Sequence, residues 1–135
     1  MKIIVSSDEY SPLVDAVNED LVNRGHEATY IGPRFADPAS DEHDWPLVTF
    51  KAVSAVASGQ ADEAIVMCWT GTGASLAANK VPGIRAALCH DAETARGARI
   101  WNHANVLALS LRATPVPIAR EILDARHRLN SILAK

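Results

Sequence analysis

Short apolar runs alternate with segments of helical period along the whole chain, and that alternation narrows the fold more than any single motif. Lys2 to Ser6, Glu27 to Ile31, Ala64 to Met67, Ile84 to Leu88 and Asn105 to Leu109 read as strands. Between the first two, Leu13, Val14, Val17, Leu21 and Val22 recur at helical spacing and stop at Gly25. A second helix opens at Pro46, carries Val48, Ala52, Val53, Val56 and Ala57 on one face, and stops at Gly59. A short helix is expected over Ala74 to Asn79, and Asp91 caps one running to about Trp101. Pro115 and Pro117 open the last, through Ile118, Ile122 and Leu123, with the final ten residues extending or following it. The third run, Ala64-Ile65-Val66-Met67, is apolar at every position, as a strand covered on both faces must be. Strands that alternate with helices imply a doubly wound α/β fold: a five-stranded parallel sheet with helices on both faces. With no repeat, linker or low-complexity tract in 135 residues, the chain reads as a single domain over 1–135.

A net charge of −3 and a pI near 5.9 argue against a nucleic-acid surface. No run of eighteen apolar residues exists, so no membrane span is expected. Met1-Lys2-Ile3-Ile4-Val5 passes straight into a strand without a signal-peptide pattern, which leads to the expectation of a cytoplasmic protein. Its two cysteines, Cys68 and Cys89, make no disulfide framework and are read as reduced thiols.

In a doubly wound sheet, ligands bind beyond the carboxyl ends of the strands, where the strand order reverses. Those ends are Ser7-Asp8, Gly32-Pro33, Cys68 to Gly73, Cys89-His90 and Ser110 to Arg112. The richest is "CWTGTGASLAANK" at 68–80, a thiol followed by Gly71, Thr72, Gly73 and Ser75. Small residues between a strand and a helix let backbone amides approach an anion, helped by the field of the helix start. The pattern is neither GxGxxG nor a P-loop, and glycines after a strand often serve only a tight turn. Cys68 reads either as a small buried hydrophobe or as a thiolate base or nucleophile activated by the helix start. Cys89 has no such loop and reads as structural. Asp8 caps a loop or faces a ligand, Arg112 is a surface charge or an anion contact, and Arg126-His127-Arg128 is a solvated basic cluster or an anion site.

The stretches "CWTGTGASLAANKVPGIRAALCHD" and "ANVLAL" closely resemble the ribose-5-phosphate isomerase B family, which includes the galactose-6-phosphate isomerase subunits. "KIIVSSD", "RGHE", "DWP" and a terminal "RH" extend the resemblance nearly end to end. It implies a Rossmann-like sheet, dimers or tetramers of identical chains with sites at subunit interfaces, and aldose–ketose interconversion of a sugar phosphate through an enediolate, with no metal or other cofactor. On that resemblance Cys68 is the base, Thr70 moves hydroxyl protons, and the loop of Gly71, Thr72, Gly73 and Ser75 binds the developing oxyanion. Asp8 and Asn102 then contact substrate hydroxyls, while Arg112, Arg126 and His127 hold the phosphate, the tail pair acting across the dimer.

Two departures stand out. The family reads Ser-Asp-His after the first strand, and this chain has Ser7-Asp8-Glu9 followed by Tyr10. The family's ring-opening histidine is replaced by Trp101, with His103 two positions later. A four-carbon sugar phosphate cannot close a furanose through its phosphorylated oxygen, so an enzyme for such a substrate can dispense with that histidine. Trp69 and Trp101 would then fill space in a smaller pocket, or stack on a sugar ring; in the bland reading Trp101 is a core aromatic and His103 or His43 opens the ring. The alternatives are a ribose 5-phosphate or hexose 6-phosphate isomerase, and a non-catalytic subunit that binds a sugar phosphate.

Overall fold

A computed structural model describes residues 1–133. Eleven elements follow one another: β1 (Lys2–Ser7), α1 (Pro12–Asn23), β2 (Glu27–Ile31), a 3-10 turn (Asp41–His43), α2 (Trp45–Ala57), β3 (Glu63–Cys68), α3 (Thr72–Asn79), β4 (Ala86–Leu88), α4 (Ala92–Asn102), β5 (Val106–Ser110) and α5 (Val116–Leu133). The five strands form one parallel sheet in the order β2-β1-β3-β5-β4. The doubly wound architecture expected from the alternation is the one observed.

Local chemistry starts the helices where the sequence signals lie. The Ser11 hydroxyl accepts from the Leu13 amide at 3.1 Å, and Pro12 opens α1. Asp91 Oδ1 accepts from the Thr94 amide at 2.7 Å and starts α4. Every residue of β3 is buried, because the sheet separates two apolar layers. One layer joins Ile3, Val5, Ile65, Met67 and Leu107 to α1, α4 and α5; the other joins Val66, Cys68 and Ala108 to α2 and α3. Met67, Leu107 and Leu109 are among the most buried side chains, each contributing roughly 1.5–3 kcal/mol by leaving water.

Several boundaries shift by one or two residues from the sequence reading, the starts of α3 and β4 by two. β4 begins at Ala86 rather than Ile84, because the Asn105 side chain takes the Arg85 amide at 2.8 Å and Ile84 bonds back to Val81 in a turn. Of the two arrangements expected for the last segment, extension is the one observed: α5 runs without a break to Leu133.

Candidate active site

The chain leaves β1 outward to β2, then crosses back to place β3 on the other side of β1. The order therefore reverses between β1 and β3, and the crevice of a doubly wound sheet opens at their carboxyl ends. Ser7 pairs with Met67, so Asp8, the first residue past β1, falls level with Cys68, the last residue of β3. On the far side of β3, Cys68 pairs with Ser110, and the ladder runs on as Leu111 N–H to Cys68 O at 2.9 Å and Arg112 N–H to Trp69 O at 3.0 Å. Register alone thus lines up Asp8, Cys68 and the Trp69–Arg112 pair across the mouth of the sheet.

The turn after β3 is built from glycine for steric reasons. Gly71 has φ +80°, and a Cβ there would lie 2.6 Å from Leu88 Cδ1 and 3.0 Å from the Leu109 carbonyl carbon. α3 starts directly after it with no side-chain cap, and its first intrahelical bond is Ser75 N–H to Gly71 O. The amides of Thr72 to Ala74 therefore have no acceptor within the helix and point their field toward the crevice. Thr70 and Thr72, both exposed, join hydroxyls at 2.8 Å. Cys68 is only 5% exposed and packs in the α2–α3 layer. Cys89, at the end of β4, is fully buried, which pushes its thiol up to about 11.

A cavity of about 630 Å³ opens beside Asp8, roofed by the segment between β2 and α2. Asp8, Glu9 and Tyr10 form one wall; the segment from Pro33 to Trp45, with Arg34, Asp37, Ser40, Asp41, His43 and Asp44 among its lining residues, forms the rest. Trp45 joins this cavity to the glycine loop, because its ring lies over Gly73. Two buried atoms of the lining, Asp8 Oδ1 and His43 Nδ1, have no hydrogen-bond partner. Burial, then Glu9, then Asp44 lift the Asp8 carboxyl above its ordinary value, against bonds from its own and the Glu9 amide. Sequence reasoning passed over Trp45 as a pocket residue and weighed His43 only in passing; the aromatic immediately before Pro46 was the available signal. Among the described residues, no three His, Cys, Asp or Glu side chains converge to hold a metal ion.

Other expected site residues lie elsewhere. Arg126 is 4% exposed and donates to Glu63 Oε1 at 2.6 Å, and Glu63 begins β3, at the end of the sheet opposite Cys68. His127 stands edge-on to His26, before β2, with ring centroids 5.5 Å apart. The tail pair is thus packed at the amino ends of the strands, where Arg126 neutralises a buried carboxylate. Trp101, Asn102 and His103 sit at the carboxyl end of α4, with His103 in the left-handed region at φ +53°. Trp101 is 75% exposed and folds back over Gly97; neither it nor Trp69 lines the cavity of its own chain. Trp101 is therefore neither a core aromatic nor filler of that space.

Comparison with known proteins places this architecture. The ribose/galactose isomerase family model matches residues 3–128. Ribose-5-phosphate isomerase B of Escherichia coli (strain K12) is 39% identical over 105 residues, 78% of this chain and 68% of that protein. D-erythrulose-4-phosphate isomerase of Pectobacterium atrosepticum is 40% identical over 89 residues, 66% of this chain and 59% of that protein. The structure of Clostridium thermocellum ribose-5-phosphate isomerase B superposes with a TM-score of 0.81 at 38% identity, covering 98% of this chain and 95% of the other.

Proposed function

This chain belongs to the ribose/galactose isomerase family, and on that premise we propose that it interconverts the aldose and ketose forms of a small, open-chain sugar phosphate through an enediolate. The observation that carries the reading is the β1–β3 register, which sets Asp8 beside Cys68 at the crevice, ahead of a loop with uncommitted amides. The Cys68 sulfur takes the proton from the carbon beside the carbonyl, and the electron pair left behind forms the enediolate. The amides of Thr72 to Ala74 are fixed donors for the oxygen that gains charge. The Thr70–Thr72 hydroxyl pair passes a proton between the two substrate oxygens, and Cys68 returns its proton to the neighbouring carbon, so that no atom is gained or lost. Asp8 orients substrate hydroxyls. Arg112, exposed and held beside Trp69, is the cation at the crevice mouth that takes the phosphate.

A four-carbon substrate follows from Trp101 standing where the family's ring-opening histidine stands, and the Pectobacterium relative carries the name of an erythrulose-phosphate isomerase. A second copy of the chain completes the site. Trp101, Asn102 and His103 are exposed at the far end of α4, and Trp69 and Leu76 present apolar surface beside the crevice. A five- or six-carbon ring substrate is the second reading, favoured by the unpartnered Nδ1 of His43 in the cavity, a nitrogen able to serve ring opening. Deuterium exchange separates the two. Incubated in deuterated water, the protein introduces label beside the carbonyl of erythrulose 4-phosphate and not of ribose 5-phosphate, and Cys68→Ala abolishes it. Turnover of ribose 5-phosphate that His43→Ala removes would establish the ring-opening reading. No exchange with either compound would sink the four-carbon and ribose readings together, and direct the search to a six-carbon phosphate or to a non-catalytic, sugar-phosphate-binding subunit.

A further inference from the structure

Ser110 is the last residue of β5 and stands in register with Cys68. It is 1% exposed, and its hydroxyl is engaged in both directions: Oγ donates to the Trp69 carbonyl at 3.0 Å and accepts from the Ala113 amide at 3.1 Å. One hydroxyl thus joins two segments that leave the sheet beside each other, the glycine loop after Cys68 and the turn that carries Arg112. The fold does not depend on it for backbone pairing. The Trp69 carbonyl also accepts from the Arg112 amide at 3.0 Å, and the turn after β5 is closed by the Thr114 amide on the Ser110 carbonyl at 3.2 Å. Ala113 is exposed, so water can take its amide when the hydroxyl is removed. A hydroxyl placed this way fixes direction more than it adds stability, because the net gain from a hydrogen bond is small once water is counted.

Two donors on one carbonyl, Ser110 Oγ and the Arg112 amide, pin the plane of the Trp69–Thr70 peptide. Holding the Trp69 oxygen toward β5 turns the Thr70 N–H the opposite way, since the two groups of a planar trans peptide point apart. Thr70 leads directly into Gly71 and the uncommitted amides at the start of α3. At its other bond the same hydroxyl holds Ala113, so the backbone of Arg112 is fixed from both sides: by its own amide on Trp69 and by the next amide on Ser110. We infer that Ser110 is a positioning residue, which sets the span between the reacting carbons at Cys68 and the phosphate at Arg112. It touches neither; it acts through the Trp69 carbonyl and the Arg112 turn. The inference rests on the isomerase reading for the identity of what is spanned. The span matters because a displacement of about 1 Å in a positioned group can cost about a hundredfold in rate.

The test is a double-mutant cycle read by calorimetry with erythritol 4-phosphate, a four-carbon phosphate that has no carbonyl to turn over. Ser110→Ala is expected to weaken binding about tenfold and Arg112→Ala by at least as much. The two together should bind no worse than Arg112→Ala alone, because the hydroxyl acts through the guanidinium. A merely structural serine would leave the two losses additive. Affinity equal to the parent's in Ser110→Ala, or losses that add, overturns the proposal. Ser110→Ala should melt within a few degrees of the parent; if it does not fold, Ser110→Cys, of similar size and a weaker donor, takes its place in the cycle. A parent that does not bind erythritol 4-phosphate would count against the phosphate reading, and the hold on the two segments is then read without ligand. Residual dipolar couplings should show the Thr70 and Ala113 amides reoriented in Ser110→Ala, and unchanged couplings overturn the proposal. Neither readout requires turnover, so an absence of deuterium exchange would count against the isomerase reading and not against the role of Ser110.

Discussion

Trp45 lies across Gly73 so closely that a Cβ on the glycine would stand 3.0 Å from ring atom Cε3. One residue begins α2 and lines the acidic cavity; the other is in the first turn of α3, where the free amides lie. Gly73→Ala therefore displaces an aromatic wall rather than a buried core. Trp45 is 42% exposed and can move outward, so thermal unfolding is expected to shift by less than about 1 kcal/mol. The exchange rate should fall by about tenfold or more, since a misplaced pocket wall costs positioning. Stability measured by melting and rate measured on the same sample separate the two effects; a large loss of stability with unchanged rate would contradict this.

Gly71 and Gly59 share a backbone conformation and differ in surroundings. Their φ angles are +80° and +82°, but a Cβ at Gly71 would strike Leu88 and Leu109, whereas Gly59 has nothing within 4 Å. Gly59→Ala is expected to cost only the left-handed strain, about 1 kcal/mol. Gly71→Ala adds a clash with backbone and should cost about 3 kcal/mol or more while abolishing exchange. Urea unfolding of the pair gives the contact contribution by difference.

The alternation of runs was enough to read the sheet, and the all-apolar Ala64 to Met67 stretch was enough to bury β3. Cys68, Thr70 and the glycine loop were legible because they are contiguous with a strand end. What sequence did not carry is what depends on distant pairing. Nothing near Arg126 announces Glu63, which is 63 residues away, yet the guanidinium expected on a phosphate is paired with that carboxylate inside the fold. Asn130, one helical turn later, donates to the same carboxylate at 3.2 Å, so two contacts to Glu63 anchor α5 where local pattern allows either a continued helix or a following one. The cavity is assembled from the β1 and β2 loops and the start of α2, and local pattern could not show that Glu9 and Asp44 converge on Asp8.

The Arg126–Glu63 pair gives a prediction opposite to that of a phosphate ligand. Both side chains are less than a tenth exposed. Arg126→Met leaves Glu63 buried with only Asn130, and the expected loss is about 3–5 kcal/mol, partly restored by adding Glu63→Gln. At a temperature where the variant remains folded, the KM for a phosphorylated substrate should be unchanged. A rise in KM of about tenfold, the 1.4 kcal/mol of one lost ionic contact, with unaltered stability would return Arg126 to the site.

Asp8 should reveal its role as a conflict between stability and activity. Its carboxyl is raised above the usual value chiefly by burial, with Glu9 and Asp44 adding repulsion. A raised folded-state value means that the native protein binds the proton more tightly than the unfolded chain does. Stability then falls as pH rises from the unfolded value through the folded one, and stays lowered above it. Asp8→Asn removes the charge, so the variant should be more stable than the parent at neutral pH, and its advantage should shrink as the pH falls through that window. Its exchange activity should drop at every pH, because an amide accepts fewer hydroxyl hydrogen bonds than a carboxylate. Urea midpoints taken from pH 4 to pH 8 check the sign: an advantage that grows on acidification would mean that Asp8 is stabilised as the anion, and that its free Oδ1 has a partner within the fold.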